Sequence, residues 1–209
     1  TPIVISPHDP NRLYILGNRV FRSHDEGEHW EPISPDLTRS DPEKLGGASG
    51  TGENSIVNDY CTISSFSESP SRHGVLWAGT DDGLVHCSQD DGLTWRNVTP
   101  PDLPAWSTVH VEASPHAAGT VYAAATAHAL DDFHPYVYRS EDFGQTWQPI
   151  VNGQPADDFI RVVRGDPVQP GLLYAGGESG VYLSLDAGAN WWSLQLNLPH
   201  APVHDLIVA

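Results

Sequence analysis

Three pairs of neighbouring aspartates have the residue type and position for acid–base or cation-binding chemistry. They are Asp81 with Asp82, Asp131 with Asp132, and Asp157 with Asp158. Hydrolysis of a glycosidic bond uses two carboxyl groups about 5–5.5 Å or 6.5–9.5 Å apart, one of them with a raised pKa. Adjacent side chains of an extended chain point apart, so each pair could offer only one carboxylate to a common centre. The alternative interpretation is that aspartates before a glycine build turns.

One aromatic and two histidines from nearby segments complete the candidate binding set. Trp106 ends the segment DLPAW, and His128 and His134 flank Asp131 and Asp132. The 11 histidines form no HExxH pair, and the two cysteines lie in no CxxC motif. We therefore expect no metal ion and no cofactor. Cys61 and Cys87 could be two buried thiols or one disulfide.

The elements that must position these side chains are indicated by an eight-residue pattern, Ser-x-Asp-x-Gly-x-x-Trp, which we call the box. The four boxes are Ser23, Asp25, Gly27 and Trp30; Ser88, Asp90, Gly92 and Trp95; Ser140, Asp142, Gly144 and Trp147; and Ser184, Asp186, Gly188 and Trp191. In a tight turn, Asp accepts backbone N–H groups, Ser adds a local hydrogen bond and Gly adopts positive φ. The indole is expected to pack beneath its own turn. The box is therefore predicted to be structural rather than catalytic.

Each box stands at the same place within a larger repeat. Two short apolar segments precede it, a third opens the unit and ends at a proline, and a fourth follows the tryptophan. Four short strands in about 45 residues are typical of a propeller blade. We predict an all-β fold of four four-stranded β-propeller blades, at about 1–36, 58–100, 108–152 and 158–198. Residues 202–209 are predicted to be the first strand of a further blade.

The same segments resemble the Asp-box (BNR-repeat) β-propeller family. The resemblance is carried by ISPHDPNRLYILGNRVFRSHDEGEHWEPISPDL, LWAGTDDGLVHCSQDDGLTW, DDFHPYVYRSEDFGQTW and LLYAGGESGVYLSLDAGANWWSLQLNLP. These stretches look like large secreted bacterial proteins with sortilin-like BNR repeats, often labelled glycosyl-hydrolase-like. The resemblance implies a propeller and a secreted or periplasmic location. It does not by itself imply a reaction, because one fold supports many functions.

The arginines argue against one activity of the wider Asp-box group. Sialidases resemble this chain in their boxes, but they hold the substrate carboxylate with three arginines. In a propeller, the loops between second and third strands and the blade connections share the face opposite the boxes. Only Arg19 and Arg39 fall in such loops, with Arg161 or Arg164 near the channel. We therefore do not expect sialidase activity from this segment.

Charge and length restrict the partners further. Ten Lys and Arg stand against 27 Asp and Glu, for a net charge of −17. Such a chain repels phosphate backbones and anionic lipids, so neither nucleic acid nor membrane is an expected partner. A chain that begins with Thr1 and lacks Met is expected to be a piece of a longer protein, whose remaining blades would cover its open strand edges.

Two functions remain from this sequence. The first is a non-catalytic binding or scaffold segment that recognises a protein, peptide or glycan on the channel face. The alternative is a glycoside-hydrolase-like enzyme whose acid and base lie partly outside these residues. The long connection from Pro35 to Tyr60 is predicted to be a mobile loop because it is rich in Gly and Ser.

Overall fold

The computed structural model describes residues 3–41 and 61–208 and contains four antiparallel sheets of four strands each. Blade 1 comprises β1 (Ile3–Ile5), β2 (Leu13–Leu16), β3 (Val20–Ser23) and β4 (Glu31–Pro32). Blade 2 comprises β5 (Ile63–Glu68), β6 (Leu76–Thr80), β7 (Val85–Ser88) and β8 (Arg96–Asn97). Blade 3 comprises β9 (Thr108–Ala113), β10 (Val121–Ala127), β11 (Asp132–Ser140) and β12 (Gln148–Pro149). Blade 4 comprises β13 (Ile160–Gly165), β14 (Leu173–Gly177), β15 (Val181–Ser184) and β16 (Trp192–Ser193).

The predicted all-β propeller architecture is confirmed. The strands of every sheet pair in chain order, so each blade is a four-stranded meander. A 3₁₀ turn at His128–Leu130 interrupts the β10–β11 hairpin. Within the described residues, no helix is long and apolar enough to cross a membrane.

Each box closes the hairpin between the third and fourth strands through one repeated set of hydrogen bonds. In blade 3, the Ser140 hydroxyl accepts the Gly144 N–H and donates to Asp142, both at 2.9 Å. Asp142 also accepts the N–H of Thr146 at 2.9 Å and its hydroxyl at 2.6 Å. These hydrogen bonds, led by the Thr146 hydroxyl, lower the pKa of Asp142. The other three boxes repeat the serine and aspartate contacts.

The sequence predicted that each box tryptophan packs beneath its own turn. In blades 2 to 4 the indole also joins the hairpin to the preceding blade. The indole N–H of Trp95 donates to the Ile33 carbonyl of blade 1 at 2.8 Å. Trp147 and Trp191 make the same bond to the preceding blade. The indole N–H of Trp147 donates to the Val98 carbonyl at 2.6 Å, and that of Trp191 donates to the Ile150 carbonyl at 2.7 Å. We call this contact the indole latch. It ties each outer hairpin to the end of the preceding outer strand.

The hydrophobic core is divided into three clusters, one for each junction between blades. Tyr14 and Phe66 belong to the cluster between blades 1 and 2. Trp77 and Val111 belong to the cluster between blades 2 and 3, and Ile150 to that between blades 3 and 4. Blades 2 and 3 thus bury both faces against neighbouring blades, whereas blades 1 and 4 each bury the one face that meets a neighbour within the described chain.

Two junctions carry an additional contact at the proline corner. The His8 imidazole is 2.8 Å from the Ser69 carbonyl of the following blade, and His116 is 2.8 Å from the Asp166 carbonyl. Ser71 holds the corresponding position in blade 2, so the junction between blades 2 and 3 lacks this histidine.

The sequence left open whether the two cysteines form a disulfide. Cys61 and Cys87 are buried free thiols, and burial raises the pKa of Cys87 to about 12.

The expected strand over residues 202–209 is wrong for its described part, because 202–208 is not a β-strand. The segment still follows the course of a first strand: the Val203 N–H donates to Gly177 as Ile63 donates to Gly17. No second strand pairs with it within the described range, so no sheet forms.

The remaining expectation concerns the connection from Pro35 to Tyr60. Residues 42–60, which make up most of it, lie outside the described residues.

The indole latch makes a prediction for stability. Trp147→Phe keeps an aromatic ring but removes the N–H, so the half-buried Val98 carbonyl loses its partner. The free energy of unfolding should fall by about 1 kcal/mol in urea denaturation. Trp192→Phe is the control, because Trp192 is half exposed and makes no hydrogen bond through its indole within the described chain. Equal losses for both variants would contradict the latch.

Candidate functional site

The loops between the second and third strands lie beside the connections between blades. In blade 2, the Asp81 N–H donates to the Thr62 carbonyl at 3.0 Å. In blade 4, the Glu178 N–H donates to the Phe159 carbonyl at 3.2 Å. The box turns lie at the opposite ends of the same third strands. The sequence-predicted candidates therefore share one side of the molecule, which we call the loop face.

Two of the predicted ligand residues are structural supports instead. Asp82 and Asp158 are 0% and 3% exposed. Their carboxylates accept hydrogen bonds from neighbouring loop segments, the donors being Thr80 and Arg39 for Asp82, and Ser179 and Tyr182 for Asp158. A carboxylate with its oxygens occupied in this way is not available to a ligand. The correction follows from burial, which the type and spacing of the residues do not reveal.

Asp81 and Trp106 are fixed by contacts of their own. Asp81 accepts the N–H and hydroxyl of Thr62 at 2.9 and 2.7 Å. Burial raises the pKa of Asp81 above its usual range. Trp106 has φ of 65°, and the guanidinium carbon of Arg39 lies 5.8 Å from its ring centroid. Asp81 belongs to blade 2 and Trp106 to the connection from blade 2 to blade 3. Neither residue lines the cleft of blade 3 that is described next.

A cleft of about 570 Å³ opens on the loop face between the β10–β11 hairpin and the connection from blade 3 to blade 4. It is lined by Asp131, Asp132, Phe133, His134, Tyr136, Ala156 and Asp157. Four predicted candidates therefore come together here: Asp131, Asp132, His134 and Asp157. Asp81, Asp82 and Trp106 are not among the lining residues.

The cleft exists because the β10–β11 hairpin is longer than its counterparts. β10 and β11 have 7 and 9 residues, whereas the second and third strands of the other blades have 4 or 5. A register shift between Ala125 and Ala127 and a 3₁₀ turn end the regular pairing. Asp131 then reverses the chain in the left-handed region, at φ of 59°. The extra length forms one wall of the cleft.

Asp132 orients two neighbouring side chains of this wall. Its carboxylate is 2.7 Å from the His134 imidazole and accepts the Tyr136 hydroxyl at 2.7 Å. The Tyr136 hydrogen bond is the main reason why the pKa of Asp132 is lowered. The same bond raises the pKa of Tyr136 to about 12. Asp132 is thus an ionised positioning group that orients an aromatic and an imidazole of the cleft.

An aromatic cluster lies at the base of the hairpin, around the buried ring of Phe159. His128 stacks on this ring with centroids 5.1 Å apart, and Phe133 lies 6.1 Å away. The guanidinium of Arg161 is 4.7 Å from the Phe159 centroid and pairs with Glu178 at 2.6 Å. His128, a predicted ligand residue, is therefore engaged with the cluster, although its side chain is exposed.

Asp131 and Asp157 are the carboxylates of the cleft that remain available. Both residues are exposed, and within the described chain neither carboxylate accepts a hydrogen bond or forms an ion pair. They come from the two walls, the β10–β11 hairpin and the blade connection. The arrangement offers two anionic acceptors beside the apolar surface of Phe133, which is 47% exposed.

Sequence reasoning missed the aromatic part of the site. Tyr136 was considered only as the end of the candidate loop that begins at His128. Phe133 and Phe159 were not singled out, nor was Arg161 as a partner of Glu178. The segment Asp132–Phe133–His134–Pro135–Tyr136 does alternate polar and aromatic residues, and this is the signal that was present. Phe159 gave none, because the rings that it contacts, His128 and Phe133, belong to a different segment of the chain.

Comparison with known proteins supports the fold. The family model for the BNR/Asp-box repeat matches residues 138–149, which span the third box. The same box geometry occurs four times, in blades arranged as in a propeller. The chain therefore has a β-propeller fold and contains a match to the BNR/Asp-box repeat at its third box.

Several larger proteins are similar to this chain. An oligoxyloglucan-reducing end-specific xyloglucanase of Emericella nidulans is 27% identical over 166 residues, 74% of this chain and 18% of the relative. Among solved structures, an ancestral GH74 enzyme has a TM-score of 0.67 at 19% identity, covering 92% of this chain and 23% of that one. The GH74 xyloglucanase of Xanthomonas campestris has a TM-score of 0.64 at 16% identity, covering 95% and 30%. The chain thus spans less than a third of the length of these relatives.

The contrast between Asp157 and Asp158 provides a test with a matched control. Asp158→Ala leaves the Ser179 N–H and the Tyr182 hydroxyl without their acceptor, and should lower the free energy of unfolding by about 1–3 kcal/mol. Asp157→Ala, one residue away and exposed, should change it by less than about 0.5 kcal/mol. Chemical denaturation measures both. A larger loss for Asp157→Ala would refute these assignments.

Proposed function

We propose that this segment binds a xyloglucan-type polysaccharide in the cleft of blade 3, as a non-catalytic part of a larger BNR-repeat propeller. The observation that carries the proposal is the combination, in one open cleft, of an exposed Phe133 ring and the carboxylates of Asp131 and Asp157, which have no hydrogen-bond or ion-pair partner among the described residues. Sugar rings present C–H faces that pack on aromatic rings, and hydroxyl groups that donate to carboxylates.

The type of polysaccharide is suggested by the relatives. Two of the similar proteins are named as xyloglucanases, and the chain aligns with part of each. The cleft is open along the loop face rather than closed over a small molecule, and it suits a segment of a polymer. Because such polysaccharides are extracellular, we also infer that the segment works outside the cytoplasm.

The remaining blades of a longer parent chain are proposed as further partners. They would extend the loop face beyond the cleft of blade 3. Additional contacts along one polymer raise affinity without any change in the single site, because the second contact becomes intramolecular.

Binding is tested by replacing the aromatic wall. Phe133→Ala should weaken binding of xyloglucan oligosaccharides about tenfold or more in isothermal titration calorimetry, equivalent to at least about 1.4 kcal/mol. Leu93→Ala is the matched control: Leu93 is a more exposed apolar residue, on the box side of blade 2. It should bind as the wild type does. Absence of wild-type binding to xyloglucan would refute the proposal.

A hydrolytic function is the second candidate, favoured by the same two carboxylates on facing walls. In that case one group would act as acid and the other as base or nucleophile. The binding proposal predicts that incubation with xyloglucan releases no reducing ends above the background. Release that Asp131→Asn or Asp157→Asn abolishes, while Glu141→Gln on the box side does not, would establish hydrolysis instead.

A further inference from the structure

One asparagine of the sequence is followed by glycine: Asn152, in the connection from blade 3 to blade 4. The Gln154 N–H donates to the Val151 carbonyl at 3.1 Å and closes a β-turn around this pair. Gly153 is the third residue of the turn and has φ of 92°, a conformation that favours glycine. Asn152 and Gly153 are both exposed, so water reaches the pair.

An asparagine side chain can react with the main-chain nitrogen of the next residue. That nitrogen loses its proton and bonds to the side-chain carbonyl carbon, and the side-chain amide leaves as ammonia. Water then opens the five-membered imide at either carbonyl, which gives aspartate or isoaspartate. The net reaction replaces –NH₂ by –OH, with water as the co-reactant and no oxidant or reductant. It is fastest where the attacking nitrogen makes no hydrogen bond and carries no side chain beside it.

The structure leaves this nitrogen free at Asn152. Within the described chain, the Gly153 N–H donates no hydrogen bond. The N–H that follows most other described asparagines is already a donor, as in Arg12 after Asn11, Val98 after Asn97, Trp191 after Asn190 and Leu198 after Asn197. Asn18 is followed by Arg19, whose side chain stands where Gly153 has none. Asn152 thus has a following nitrogen that is both free and unobstructed.

The glycine of the pair is required by the packing of the two blades. A Cβ on Gly153 would clash with the Trp191 carbonyl of the fourth box. The Asn152 carbonyl accepts the Trp191 N–H at 2.9 Å, so the turn lies directly against that box. The close contact therefore needs the same glycine that leaves Asn152 open to attack.

The side chain of Asn152 is part of this contact as a hydrogen-bond donor. Its amide donates to the Asn190 Oδ1 at 2.6 Å and to the Ala189 carbonyl at 3.4 Å. The Asn190 amide donates to Asp186 at 2.8 Å, which turns its oxygen towards Asn152. A carboxylate has no proton to donate to these two oxygens and places a negative charge beside them. Replacing the amide by a carboxylate therefore turns an attraction into a repulsion.

We propose that Asn152 is a site of spontaneous deamidation in the folded protein, and that the reaction weakens the junction between blades 3 and 4. The rate increases with pH, because the main-chain nitrogen attacks in its deprotonated form. Isoaspartate also adds one atom to the main chain at the start of the connection whose Ala156 and Asp157 line the cleft. The reaction does not depend on which ligand the cleft binds.

Peptide mapping by mass spectrometry tests the reaction. The folded chain is incubated at mildly alkaline pH, and a parallel sample in guanidinium chloride gives the rate for the unfolded sequence. In the folded chain, Asn152 should convert to aspartate and isoaspartate at a rate of the same order as in the unfolded chain. Asn97, whose following N–H is a donor, should stay unmodified. Conversion of Asn152 only in the unfolded sample, or no faster than that of Asn97, would overturn the proposal.

The effect on the junction is tested with two matched variants. Asn152→Asp reproduces one product and should lower the melting temperature by about 2–4 °C, the shift expected for one hydrogen bond in a chain of this size. Asn97→Asp is the control, because the Asn97 oxygen accepts the Thr99 N–H at 3.1 Å and its hydroxyl at 2.7 Å, and a carboxylate can do the same. It should melt as the wild type does. Equal shifts for the two variants, or none for Asn152→Asp, would contradict the proposed weakening.

Discussion

The hydrogen bond from a box indole to the preceding outer strand is the interaction on which the rest of the structure depends. A four-stranded blade of this chain is apolar on both faces and cannot bury either face alone. The latch adds one directional contact between the outer elements at each junction, where the three core clusters bury the apolar faces.

This construction separates stability from ligand binding. The boxes and latches occupy one side of the molecule, whereas the loops between second and third strands occupy the other. A loop on that second side can lengthen without disturbing a latch, as the β10–β11 hairpin does. The cleft lined by Phe133, Asp131 and Asp157 is the result of that freedom, and its wall is supported by the hydrogen bonds of Asp132 and by the ring cluster around Phe159.

The sequence predicted features that depend on local residues. Turn chemistry within eight residues was enough to locate the hairpins and hence the blades. The role of Trp147 could not be predicted in this way, because its acceptor, Val98, lies 49 residues earlier in the chain. Likewise, alternation along an extended chain shows that Asp157 and Asp158 point apart, but not which of them is buried. That depends on Tyr182 and Ser179, which belong to a neighbouring hairpin.

The histidines at the proline corners have a consequence for how the array comes apart. His8 and His116 connect blade 1 to blade 2 and blade 3 to blade 4, and Ser71 leaves the middle boundary without such a bridge. In a linear array, unfolding free energy is roughly a sum of terms for nearest neighbours. The middle boundary is bridged by serines of β5 instead: Ser64 and Ser65 donate to the Val109 carbonyl, and Ser65 and Ser67 accept backbone N–H groups of β9. Every boundary of the array therefore has side-chain bridges to the backbone of the next blade, so separating any two neighbours breaks hydrogen bonds as well as apolar contacts.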